Sequence, residues 1–568
     1  MDEKLPGPFY GLPAVDIESR RIQSHPRQAG KNCLVDERRK FELELLSWSA
    51  VWNAELPIHC LPAEVLLHIF TEFLLPINPS TTVRCAYSYE YNARSTSKRP
   101  WTRLMGVCRH WCALIRNAGC FWGDIVNWDN PRWLKIALSR LGKGPLRVWL
   151  NDDRHLQEVV PILLAHADHL KHLNISVRVD ESISHPLAPI LNNPLPVLAS
   201  LQMSLHHPYF HDRPRGRMYF PDQTYPSLTS LELTCVTLSW TTSLLGNLRV
   251  LSLSNCELST PSLALSPFLD ILQHSQHLEE LSLDRFLSIA LSPQTSSPHG
   301  HLVTLPQLRR LHITETPLDI AQFMGHIHVP DTCSIRLAGR RSYSDTTPVS
   351  FIAMLPQERA RATFLRSTTD VTFVMTESDN AIYCRGQLVS CELDLRSSFG
   401  RAEGENWLDT GLRQLTALFG HGECVLTRLE VTGRLHIAQF ATWHTVLDGL
   451  PALQTLVLCG HNTFPSSAAH ALAAPSAVDD EHGHPDRPRV CCPSLKHLDI
   501  RGWDWRPATV EAILDCLGAR AALGASELES LDLTVHWERA EEERVAAWAP
   551  YLPRLRGAVG RFDVHYSE

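Results

Sequence analysis

The chain carries no excess of positive charge. Its 53 Lys and Arg are outnumbered by 61 Asp and Glu, giving a formal net charge of -8 and a pI near 6.4. That balance argues against a nucleic-acid partner held through phosphates. The cluster Arg38-Arg39-Lys40 is interleaved with Glu37, Glu42 and Glu44 and reads as a solvated helix face. Long apolar runs are also missing. The most apolar stretch, Cys60 to Ile77, is interrupted by Glu64, His68, Glu72 and two prolines. It falls short of the roughly 18 uncharged residues a membrane span needs, so no membrane association is expected. The opening "MDEKLPGPFYGLP" lacks the apolar core of a signal peptide, which predicts a protein of the cytoplasm or nucleus. Asn174-Ile175-Ser176 is then a glycosylation sequon in form only.

Catalytic signatures are absent as well. The sequence holds no C-x-x-C, H-E-x-x-H or G-x-S-x-G, and no Gly-rich phosphate loop ending in Lys-Ser/Thr. "GKGP" at 142–145 lacks the rest of such a loop and reads as a turn. These gaps predict a chain that is not an enzyme and takes no cofactor. The 16 cysteines are scattered without regular spacing, so they are expected to be free, buried thiols. Cys491-Cys492 with His482 and His484 resembles a zinc set only loosely, because adjacent cysteines seldom share one metal. No metal is expected.

What is abundant is leucine in one phrase. L-x-x-L-x-L, with Ile, Val or Met allowed last, starts at Leu170, Leu198, Leu228, Leu248, Leu278, Leu308, Leu426, Leu453, Leu495 and Leu528. Most starts lie about 30 residues apart, the spacing of a stacked-repeat architecture, in which no single repeat can bury its own apolar face. The long interval from Leu308 to Leu426 is close to four further repeats. "SIRL" (Ile335, Leu337), "DVTFV" (Val371, Phe373) and "CELDL" (Leu393, Leu395) offer degenerate strands within it. Segments between the phrases, such as 267–276 and 507–519, read as helices. A chain of 568 residues, too long for one ordinary core, is thus accounted for. The pattern resembles the leucine-rich repeat family. The family's buried Asn or Cys at the ninth position is met by Cys256 but absent from most copies.

Ahead of the repeats, Phe41, Leu45, Trp48 and Trp52 recur at helical spacing. That stripe fits either a packing helix from about Asp36 to Leu56 or a short dimerising coiled coil. Next comes "LPAEVLLHIF", residues 61–70, with Pro62 and Glu64 suited to a helix N-terminus. "VCRHWCALIRNAGCFW", residues 107–122, follows after a polar gap. Leu61, Pro62, Glu64, Val65, Leu66, Ile69, Phe70, Val107, Cys108, Arg109, Trp111 and Trp122 together resemble the F-box, a three-helix module. The resemblance implies docking on the Skp adaptor subunit and cullin of a ubiquitin ligase. The apolar helix faces would serve as helix-in-groove anchors. Of the twelve, all but Arg109 are assigned to the adaptor contact.

The expected architecture is an α/β repeat protein. A flexible segment, 1–34, precedes a helix at 35–57. The three-helix module fills 58–127, split by an inserted loop at 76–100 that leaves its apolar face open or covers it. A connecting helical segment, 128–164, leads to an irregular solenoid, 165–560, of parallel strands with outer helices and a disordered insertion at 461–492. The function implied is substrate recognition for an SCF-type ubiquitin ligase. The target protein would lie against Glu232, Ser252, Ser282, His312 and Asp499, which alternate with inward leucines. The competing readings are a repeat scaffold outside ubiquitination and a hydrolase within the repeats. Neither has a motif of its own.

Overall fold

Every copy of the leucine phrase runs into, or lies within, a β-strand of the computed structural model. The structure describes residues 26–74, 101–126, 131–150, 156–178, 187, 189–190, 192–206, 216–217, 225–238, 246–258, 265–287, 302–340, 350–356, 363–375, 380–386, 390–395, 407–419, 425–476, 490–537 and 541–567. The chain divides into two compact units, Met1–Trp122 with Arg140–Gly142, and Gly123–Ser139 with Lys143–Glu568.

The second unit is built on one 17-stranded sheet. Its first nine strands are β1 (Asp124–Val126), β2 (Leu146–Leu150), β3 (Leu170–Arg178), β4 (Ser200–His206), β5 (Ser230–Thr234), β6 (Val250–Ser254), β7 (Glu280–Asp284), β8 (Arg310–Glu315) and β9 (Ser334–Gly339). The rest are β10 (Thr368–Met375), β11 (Asn380–Gly386), β12 (Ser390–Leu395), β13 (Arg428–Thr432), β14 (Thr455–Asn462), β15 (His497–Asp504), β16 (Leu528–His536) and β17 (Val559–Ser567). From β1 to β9 each strand pairs in parallel with the next, and so does each from β13 to β17. The alternation follows the phrase. Leu231 and Leu233, Leu251 and Leu253, Leu281 and Leu283, and Leu311 and Ile313 are buried, while the residue between each pair is half exposed. Burying one such side chain contributes about 1.5–3 kcal/mol.

The same repeat geometry governs the exit from three consecutive strands. Cys235, Asn255 and Arg285 follow β5, β6 and β7 with φ of 58°, 49° and 50°. A non-glycine residue avoids that left-handed region unless something offsets the strain. Here each N–H donates across to the next strand's end: Cys235 to Ser254 O at 2.9 Å, Asn255 to Asp284 O at 2.8 Å, Arg285 to Thr314 O at 3.0 Å. The ninth position, next in line, holds Val236, Cys256 and Phe286, all fully buried. Only Cys256 supplies a polar group, its thiol donating to Leu233 O at 3.4 Å.

Four expectations need correction. The sheet begins at β1 and β2, inside the segments assigned to the three-helix module and the helical connection, because Ile125, Leu146, Val148 and Leu150 alternate inward like the later repeats. The long interval does not hold four parallel repeats. The strand β11 runs antiparallel between β10 and β12, giving the order β9-β12-β11-β10-β13. Thus β10 pairs with β13 and leaves the gap that the β11–β12 hairpin fills. The segment 461–492 is not wholly disordered. Residues Ser466–Ala473 form a helix whose Ala468, Ala469, Ala471 and Leu472 are buried, since alanine's small side chain permits close packing. Within that segment, residues 477–489 lie outside the described residues.

 The inserted loop at 76–100 lies wholly outside them, and so do residues 1–25 of the N-terminal segment. Finally, the first helix starts well before Asp36. It runs from Pro26 to Ala54, with proline at its first position where a missing N–H costs nothing.

Candidate docking surface

The first unit contains α1 (Pro26–Ala54), α2 (Ala63–Leu74), α3 (Trp101–Met105) and α4 (Arg109–Asn117). Its interior is small and aromatic. Leu66 and Phe70 on α2, Trp101 on α3, Ile115 on α4, then Phe121 and Trp122, are buried. Phe70 meets Trp111 at a centroid distance of 4.6 Å, and Trp101 meets Trp122 at 4.9 Å, both tilted. Trp122 is fixed further by donating its indole N–H to Ile115 O at 2.9 Å. The chain turns into Trp122 at Gly119, where a Cβ would sit 2.5 Å from Leu141 O. Only glycine fits there.

Cys108 opens α4. Its extended backbone (φ -157°, ψ 167°) and a thiol that accepts from Trp111 N at 3.4 Å make it the N-cap. The His59 Nε2 atom lies 3.6 Å from the same sulfur, tying the turn before α2 to the start of α4.

The assigned contact residues therefore separate into two sets. Leu66, Phe70 and Trp122 are interior, while Cys108 and Trp111 are half-buried. Leu61, Pro62, Glu64, Val65, Ile69 and Val107 are exposed. Val65 and Ile69 lie one turn apart on α2, and Phe73, one turn further, is 71 % exposed. The apolar face of α2 is thus wider than its own interior can cover. Phe73 was not among the assigned contacts, although its i+4 spacing from Ile69 is visible in the sequence. Contiguous exposed apolar surface of this kind marks an interaction site more often than chance.

In the second unit, register brings four of the five target-facing candidates into one file. Glu232 pairs with Ser252, Ser252 with Ser282, and Ser282 with His312. The file extends through Gln202 and Asn174, whose amides hydrogen-bond at 2.6 Å. Asp499 stands apart on β15, between Val457 and Asp532. Arg501 donates its Nε to the Asp499 carboxylate at 2.8 Å, so the charge at that separate position is compensated.

The cysteines whose side chains are described are free. Burial pushes the Cys491 and Cys516 thiols up to about 11 and the Cys256 and Cys333 thiols up to about 12, so they are poor nucleophiles near neutral pH. Cys492 donates its thiol to Leu447 O at 3.0 Å, and His482 and His484 lie outside the described residues. Among the described residues, no group of three or more His, Cys, Asp or Glu could hold a metal ion, and no helix is long and apolar enough to cross a membrane. Compared with known proteins, the chain matches no family model, and no curated protein is significantly similar to it.

Proposed function

We propose that the chain is a substrate-recognition adaptor of an SCF-type ubiquitin ligase. The first unit acts as an F-box that docks on the Skp adaptor subunit, and the second acts as a leucine-rich-repeat arm that holds the target protein. The observation that carries this reading is the exposed half of the α2 apolar face, Val65, Ile69 and Phe73, lying beside an interior that Leu66 and Phe70 already fill. A helix of this kind seats in a partner's groove through residues one turn apart. The order of the sequence motifs around it supports the same reading.

The mechanism is proximity. With one surface on the ligase scaffold and another on the target, ubiquitin transfer by the ligase's partner enzyme becomes effectively intramolecular. The chain contributes binding energy and orientation. The file Glu232–Ser252–Ser282–His312 offers polar side chains between buried apolar ones, a surface suited to an extended segment of a protein target.

The test is affinity capture of the full chain with the Skp subunit and cullin. Wild type is expected to retain both, and a Val65→Asp/Ile69→Asp variant is expected to lose both while keeping its circular dichroism and melting temperature. Leu66 is unsuitable for this purpose, because a buried Asp there would unfold the unit. Equal capture by wild type and variant would remove α2 from the docking surface.

A further inference from the structure

The stripe on α1 has no role in the docking just described. Arg38, Phe41, Leu45, Trp48, Trp52 and Glu55 follow one another at alternating intervals of three and four residues, which is the seam spacing of a coiled coil. Phe41, Leu45, Trp48 and Trp52 are 66–73 % exposed. Among the described residues of the first unit, none covers these four side chains, so they are not the packing face of an ordinary core helix. Large aromatic side chains left this far in water are the strongest apolar anchors on the unit.

We infer that α1 pairs with α1 of a second copy of this chain, in antiparallel orientation. The charges choose both occupant and direction. The seam begins with a cation, Arg38, and ends with an anion, Glu55, one residue beyond the helix, where Glu55 N donates to Trp52 O at 3.2 Å. Antiparallel pairing centred between Leu45 and Trp48 sets Leu45 against Trp48, Phe41 against Trp52, and Arg38 against Glu55 at both ends. The flanking positions agree, with Glu44 opposite Val51 and Glu42 opposite Ser49. A parallel pair fails on the same residues. It would place Arg38 beside Arg38 and Glu37 beside Glu42, like charges in both cases. Arg38 now donates to Glu42 at 2.9 Å within its own helix, and its five N–H groups allow it to reach Glu55 of the other copy as well. The seam is therefore self-complementary in one direction only.

Sedimentation equilibrium of the full chain tests this. The 64.0 kDa chain is expected to sediment at twice that mass in a concentration-dependent manner. Leu45→Glu is expected to weaken the dimer about thirtyfold or more, as loss of a central interface anchor does. Arg38→Glu and Glu55→Arg, each made alone, are expected to weaken it about tenfold by setting like charges face to face. The double variant Arg38→Glu/Glu55→Arg is expected to restore the wild-type dimer, because only the antiparallel register exchanges these two partners. All four variants alter exposed positions, and helical circular dichroism confirms that they fold. A wild type that stays monomeric, a dimer indifferent to Leu45→Glu, or a double variant as weak as the single ones would each overturn the proposal.

Discussion

Replacing Glu315 by alanine is expected to cost about 2–5 kcal/mol, the sum of two buried donors left without acceptors. Glu315 ends β8 and is almost wholly buried. Its carboxylate accepts from the backbone N–H of Phe286 and from that of Leu287, the latter at 2.7 Å, both in the turn after the preceding strand. A charged acceptor on two amides is a strong pairing, which offsets the cost of burying the carboxylate. It joins adjacent turns as the buried Cys256 thiol does one repeat earlier, at a place where the ninth residue is phenylalanine. Gln at 315 keeps an acceptor oxygen and is expected to lose under about 1 kcal/mol. Amide hydrogen exchange at Phe286 and Leu287 reads the effect locally, since repeats couple mainly to their neighbours. If Glu315→Ala left exchange at those two amides unchanged, the carboxylate would not be what holds the turn.

The second large effect is expected at Arg520. It lies in the last turn of a helix, Pro507–Ala522, and is 3 % exposed with three backbone carbonyls around its guanidinium. Nη1 donates to Leu472 O at 3.2 Å and to Cys491 O at 2.8 Å, and Nη2 donates to Cys492 O at 3.1 Å. Leu472 belongs to the last turn of the Ser466–Ala473 helix, where carbonyls run short of intrahelical N–H donors and carry the negative end of the dipole. Arg520 thus clasps the two ends of the chain's excursion between β14 and β15. Burial lowers its pKa from the usual arginine value, and the group stays charged at neutral pH.

Met at 520 fills similar volume, and it is expected to cost about 3 kcal/mol by stranding three carbonyls, partly offset by relief of the buried charge. Lys cannot fork to all three and is expected to fall between. The thiols of Cys491, Cys492 and Cys516 surround this clasp and report its opening, because buried thiols react only when exposed. Arg520→Met is expected to speed their reaction with a thiol reagent by about a hundredfold, the equivalent of that free energy. An unchanged rate would mean that the clasp is not what closes the site.

Much of the fold was legible because its signals are local and repeated. Ten copies of one phrase located ten strands, and the Pro-then-helix pattern at 507–519 located a helix. The order of strands was not legible where it departs from succession. "NAIYCRG" at 380–386 alternates no less well than its neighbours, and nothing in it announces an antiparallel course. Direction there is set by which strand β10 pairs with, a nonlocal choice. The Ala-rich stretch 466–473 misled for a related reason: alanine, serine and histidine look like loop composition until a neighbouring helix supplies the surface they bury against. At the candidate docking surface, spacing identified the apolar face of α2 but not which half of it the unit keeps for itself. Leu66 and Phe70 differ from Val65 and Ile69 by about 100° around the helix, and only packing decides which side is interior. Glu315 and Arg520 carried no readable signal, because a buried charge paired to backbone is indistinguishable in sequence from a solvated one.

The most direct test of the adaptor reading is calorimetric titration of the purified full chain with the purified Skp subunit over a range of temperatures. Saturable one-to-one binding per chain is expected, with a negative heat-capacity change, the signature of apolar faces leaving water. Val65→Asp/Ile69→Asp is expected to abolish the heat. No binding by wild type, or binding that the variant preserves, would contradict that reading.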